Sequence, residues 1–191
     1  EPIQIRNRVL AGDCGDIEGV EVITVASQVD LVSNGLIVSA DFLAENPVDA
    51  QAMVTGLHNA LQATINNPAR AYLMSMNFVE NLPNDEAFIM MIETLSEEQD
   101  SFLDAEPTRE EIAESRWAML DTLADTFDAE LLTQFDVLLT TIDLWDADIL
   151  GYSDLESWET MRDILFSMGM LDNVDDSLES AFTNQFIGSD S

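Results

Sequence analysis

From Asn46 onward the sequence is written at helical period, and that pattern limits what the chain can fold into more than any motif does. Asn46 and Pro47 open the run, with Asn46 as the expected cap and Asp49 in the first turn. Val54, Leu57, Leu61 and Ile65 follow three or four residues apart as one apolar stripe. Asn66-Asn67-Pro68 stops it. A second helix is predicted over residues 69–79, ahead of Pro83, and a methionine-rich third over residues 85–101. Thr108-Arg109-Glu110-Glu111 has the form of a capping box. It opens a helical region that reaches towards Leu144 and breaks near Asp128. Ser153-Asp154-Leu155-Glu156 reads as another, opening a helix that ends at Gly169 and docks through Trp158, Met161, Leu165 and Met168. Met74, Met76, Met90, Met91, Met168 and Met170 are expected to fill core.

The segment before Asn46 reads differently. Residues 1–5 are either extended or the start of a short helix, and Gly12, Gly15 and Gly19 punctuate a loop. Residues 20–26, Val-Glu-Val-Ile-Thr-Val-Ala, are β-branched and partly alternating, as a strand would be. Asp30 to Gly35 is a turn-rich joint, and residues 36–39, Leu-Ile-Val-Ser, are apolar enough for a strand buried on both faces. Two strands followed by a run of helices is the inventory of an incomplete α/β domain.

Charge excludes several functions. The chain carries a net charge of −32, and its basic residues are six arginines with no lysine. Neutralising nucleic-acid phosphates requires the opposite balance, and an anionic membrane surface would repel such a chain. Acidic chains are often disordered, but 47% hydrophobic residues at helical spacing point to a packed core. Salt at molar concentration would screen this many carboxylates, so a salt-adapted (halophilic) or marine source is expected. Nothing approaches the length of a membrane-spanning run. Residues 1–4 lack the features of a targeting segment.

Reactive constellations are sparse. One cysteine, Cys14, and one histidine, His58, allow neither an intrachain disulfide nor a Cys/His zinc cluster. Cys14 has no basic neighbour to lower its pKa, and His58 is expected to be partly exposed on its helix. Asp146, Asp148 and Gly151 occupy the first, third and sixth positions of a calcium loop, but Leu150 and Ser157 stand where the fifth and twelfth ligands belong. A tight turn before a capped helix accounts for the same residues. No catalytic residue, metal ligand or cofactor is assigned.

Three stretches resemble one family. Residues 34–68, NGLIVSADFLAENPVDAQAMVTGLHNALQATINNP, are similar to its strand, Asn-Pro-initiated helix and second Asn-Pro pair. Residues 151–169 are similar to its turn, aromatic-bearing helix and glycine, and residues 181–187, AFTNQFI, to its closing segment. Glu1-Pro2 is similar to the Glu-Pro that follows a strand of its second lobe. The family is the substrate-binding proteins of ABC importers for nitrate, sulfonates including taurine, and pyrimidine precursors of thiamine. The resemblance implies an α/β fold of the type II periplasmic-binding-protein class, here a helix-rich C-terminal portion with a few strands. Residues 1–30 would be the end of the second lobe and the hinge return, and residues 31–191 the C-terminal part of the first lobe. It implies a non-enzymatic, extracytoplasmic protein, periplasmic or at the cell surface, that captures a small organic or anionic nutrient between lobes and delivers it to permease subunits. Glu1, Asp30, Ser33 and Asn34 fall near the family's cleft-lining segments and are the candidate ligand-binding residues. Two alternatives stand beside this reading: a thiamine-pyrimidine biosynthesis enzyme on the same fold and an acidic helical calcium-binding protein. The enzyme branch uses a cofactor lysine, which this chain lacks.

Overall fold

A computed structural model of the chain describes residues 2–17, 19–23, 32, 34–174 and 178–188, apart from the side chain of Glu179. The described residues form eight α-helices: α1 (Pro2–Leu10), α2 (Ala40–Glu45), α3 (Pro47–Asn66), α4 (Pro68–Ser75), α5 (Glu86–Leu103), α6 (Arg109–Ala124), α7 (Ala129–Trp145) and α8 (Leu155–Ser167). A short 3-10 turn follows at Leu178–Ser180. None of these helices is long and apolar enough to cross a membrane.

There is no strand or sheet among the described residues, which corrects the α/β, type II periplasmic-binding-protein-like expectation. Residues 20–23 form no ladder, and Val22 and Ile23 lie open to solvent; residues 24–26 of the same run fall outside the described residues. Residues 36–38, expected to be buried on both faces, are exposed, and Ser39 instead caps α2 through its hydroxyl. β-Branched composition only favours a strand that has a neighbour to pair with. Residues 20–23 and 36–38 have no such neighbour among the described residues.

The chain divides into two compact units, with the division falling inside α3. The first comprises residues 1–21 and 60–147. In it α4 packs against α5 and α7, α5 against α6, and α6 against α7, while α1 lies on α7. Phe88, Ile92, Leu95, Met119, Leu123, Phe135, Leu139 and Ile142 recur at helical spacing on α5, α6 and α7 and fill its core. Tyr72 meets Phe88 and Phe135 edge-on, with ring centroids 5.7 and 6.0 Å away. Of the six methionines expected in the core, Met74, Met90, Met168 and Met170 are exposed, and Met119 takes a core position instead.

The helix ends follow local chemistry. Asp85, Thr108 and Asp128 cap α5, α6 and α7. The Thr108 box is complete: Thr108 Oγ1 accepts from the Glu111 amide, and Glu111 accepts from the Thr108 amide at 2.7 Å. That amide bond, then the Thr108 hydroxyl, holds the Glu111 carboxyl below the usual carboxylate range. The region expected to continue from Thr108 towards Leu144 is two helices, parted at Asp125–Asp128. Asn46 does not cap α3 with its side chain; it donates back to the Phe42 carbonyl at the end of α2.

The second unit comprises residues 22–59 and 148–191. The cap of α8 is Asp154, one residue beyond the expected Ser153. Its carboxylate accepts from both the hydroxyl and the amide of Ser157, bonds that lower its pKa. Gly169 ends α8 in the left-handed region (φ 71°). Its amide donates to Phe166 and that of Met170 to Leu165, the paired pattern of a Schellman end. Trp158, Met161 and Leu165 are half-buried, whereas Met168 faces solvent.

Candidate functional site

A buried polar centre lies at the end of α3, in the first unit. Pro68 has no amide to offer α3, so the last carbonyls of that helix need other donors. Arg116 Nη1 donates to the Ile65 carbonyl at 3.3 Å and Gln99 Nε2 to the Asn66 carbonyl at 2.9 Å. Asn67 faces the other way. Its Oδ1 accepts from the Arg70 amide, capping α4, and its Nδ2 donates to the Ser96 carbonyl and to Asp100 Oδ1, each at 2.9 Å. Arg70 also pairs with Asp100. Asn67 and Gln99 are almost wholly buried, so α3, α4, α5 and α6 are joined at one knot of satisfied polar groups.

Arg116 extends this knot to α7. It is 1% exposed, and its Nη2 reaches Asp146 Oδ2 at 2.9 Å and Asp143 Oδ1 at 3.3 Å. Arg109 meets the other oxygen of Asp146 at 2.7 Å and its backbone carbonyl at 2.7 Å, while Trp117 Nε1 donates to Asp143 Oδ2. Nε of Arg116 is a buried N–H without a partner among the described residues. The guanidinium sits where the negative end of the α3 dipole lies, and two carboxylates neutralise it. Such a cluster fixes helices. It presents neither a nucleophile beside a base nor an open metal position. Both Asp146 oxygens are engaged by guanidinium groups, so the carboxylate that would begin a calcium loop is committed elsewhere.

A second feature of the first unit is an open pocket of about 210 Å³ between α4, the loop that follows it, and α7. Tyr72, Val79, Leu82, Val137 and Leu138 make its walls largely apolar, and Gln134 also lines it. The hydroxyls of Ser75 and Thr141 donate to the backbone of their own helices, and the Tyr72 hydroxyl to the Pro83 carbonyl. This is space for one apolar group.

The second unit has its own fastening. Asn184 accepts from the Ser153 amide at 3.0 Å and donates to the Ser153 carbonyl at 2.6 Å, as a neighbouring strand would. Phe182 stacks on Trp158 with centroids 5.2 Å apart and planes 4° from parallel. Gln51 of α3 donates to the Phe186 carbonyl. Gly151 turns the chain at φ 83°, and a Cβ there would stand 3.2 Å from Ile187 Cδ1. The turn, α8 and the AFTNQFI segment therefore form one clasp.

Of the residues expected to bind ligand, Glu1, Asp30 and Ser33 lie outside the described residues. Asn34 is exposed, in a segment without regular structure. Cys14 lies half-buried in the turns after α1, and His58 is half-buried on α3. The arginine–aspartate cluster was not anticipated. Its trace in the sequence is the seven-residue spacing of Arg109 and Arg116, two turns along one helix face, opposite Asp143 and Asp146 near the end of the next helix.

Comparison with protein-family models, with curated proteins and with solved structures finds no match.

Proposed function

We propose that the chain serves as the solute-binding component of an ABC importer, held outside the cytoplasmic membrane, where it captures a small organic or anionic nutrient and presents it to permease subunits. The reading rests on the three stretches that resemble the nitrate, sulfonate and thiamine-pyrimidine-precursor binding proteins, and not on the runs expected as strands. The observation that carries it is the joining of two of those stretches: Asn184 of AFTNQFI bonds both backbone groups of Ser153 at the head of the aromatic-bearing helix. The third supports it through α3, which starts at one Asn-Pro pair and ends at the other. The ligand residues of this reading are Glu1, Asp30, Ser33 and Asn34, and its mechanism is non-catalytic.

Thermal unfolding in the presence of taurine, nitrate and an aminopyrimidine tests the proposal. One class is expected to raise Tm, with a stabilisation of about 2.7 kcal/mol when the ligand is at 100 times its Kd. Asn34→Ala, at an exposed position, is expected to reduce that shift without lowering the melting temperature of the free protein. Absence of a shift with every class sinks the ligand assignment, and turnover of any of them sinks the non-catalytic part.

A further inference from the structure

None of the chain's 38 acidic residues falls in the tract from Ala50 to Val79. That tract ends in α4 and the loop after it, which with α7 frame the open pocket of the first unit. No residue lining the pocket carries a charge, in a chain of −32. Between Leu131 and Trp145 the acids of α7 are Asp136 and Asp143, each paired with an arginine. The loop, α4 and α7 all lie within the continuously described stretch 34–174. An acidic protein therefore keeps one face neutral.

The same face carries a projecting ring and an open hole. Phe78 is 86% exposed and stands one residue from Val79, which lines the pocket, yet Phe78 does not line it. Its backbone is held in place. The amides of Phe78 and Val79 both donate to the Ser75 carbonyl, at 2.9 and 2.8 Å, and the far end of the loop is tied where Tyr72 donates to Pro83. The pocket measures about 210 Å³, and a cavity of about 150 Å³ is enough to hold a benzene ring. On its other wall, α7 is apolar beyond its core stripe of Leu132, Phe135, Leu139 and Ile142, since Val137 and Leu138 line the pocket. A helix apolar on a second face calls for cover there.

Symmetry and charge select the same occupant. A ring and a pocket on one face are what a two-fold contact needs, because each copy offers what the other receives. Two copies of −32 repel through any acidic surface, but this face lets them meet without burying an unpaired carboxylate. A basic partner would be drawn to the acidic surfaces instead.

We propose that the face formed by α4, its following loop and α7 is a self-association surface, on which Phe78 of each copy enters the pocket of the other.

Sedimentation equilibrium of the full chain, over a range of concentrations in low salt and in molar potassium chloride, tests this. A reversible monomer–dimer equilibrium is expected, and salt is expected to tighten it, because screening removes the repulsion between copies while the contact holds no ion pair. Phe78→Ala is expected to raise the dimer Kd about tenfold or more, with the helical circular dichroism unchanged. Val137→Trp, which fills the pocket, is expected to weaken association likewise. Mixing the two variants restores one ring–pocket contact, since the first keeps its pocket and the second its ring. The mixture is therefore expected to associate more strongly than either variant alone, which a merely structural effect would not produce. Should Val137→Trp fail to fold, Phe78→Ala and the salt series decide. A monomer at every concentration in both salts overturns the proposal. So does association that Phe78→Ala leaves unchanged, that salt weakens, or that mixing the folded variants does not restore.

Discussion

Tyr72 shows what burial does to one residue. It is 2% exposed, and its hydroxyl donates to the Pro83 carbonyl at 3.1 Å. Burial raises its pKa from 10.0 to about 12, because a phenolate would have to form in an apolar surround. The unfolded phenol ionises first, so the Tyr72 contribution is whole below about pH 10 and is lost as pH rises towards 12. Urea unfolding at pH 9 and pH 11 is expected to show this loss, and Tyr72→Phe to remove most of it. At neutral pH the same variant is expected to cost about 1 kcal/mol, since the Pro83 carbonyl loses its donor. Legibility at this scale follows sequence distance. The Thr108–Glu111 box was readable because its partners stand three residues apart. Placing the α8 cap at Ser153 instead of Asp154 missed by one residue, since both side chains can cap and only the Ser157 contact separates them. The role of Asn184 needs a partner 31 residues away, and no local pattern announces it.

At the scale of elements, helices are held by what satisfies their ends. Arg116→Met removes the donor to Ile65 and leaves Asp146 half-paired in a poorly solvated position. The expected cost is about 3–5 kcal/mol, read from chemical denaturation. Pairing it with Asp146→Leu is expected to recover part of that loss, because an apolar pair replaces a broken ionic one. A double variant no more stable than the single one would show that packing, not charge, sets the cost. The helices themselves were largely legible, for Asn-Pro pairs, Asp85 and Thr108 mark their starts in the residues themselves. The strands were misread for a physical reason: a strand's stability lies in its neighbour, and residues 20–23 and 36–38 have none in the described chain. The methionines misled similarly, since flexible side chains tolerate exposed and buried positions alike.

For the whole molecule, a few ion pairs stand against like-charge repulsion. Arg6–Asp136, Arg70–Asp100 and Arg162–Asp163 are partly exposed pairs, worth about 0–1 kcal/mol each and weakened by salt. Against them stands a net charge of −32. Screening with a Debye length of about 3 Å at 1 M salt is therefore expected to stabilise the protein. Each kcal/mol of relieved repulsion raises Tm by about 2–4 °C in a chain of this size. Calorimetry from low salt to molar potassium chloride checks this. A flat or falling Tm would set the salt-adaptation proposal aside.

The cluster of Arg109, Arg116, Asp143 and Asp146 also bears on how such a sequence can change over generations. Losing Arg116 or Asp146, whose side chains are 1% and 12% exposed, strands a poorly solvated charge, so single steps at these two positions are expected to be disfavoured while coordinated ones stay open. Arg116 and Asp146 are therefore expected to change as one inherited character, the loss of one favouring the loss of the other.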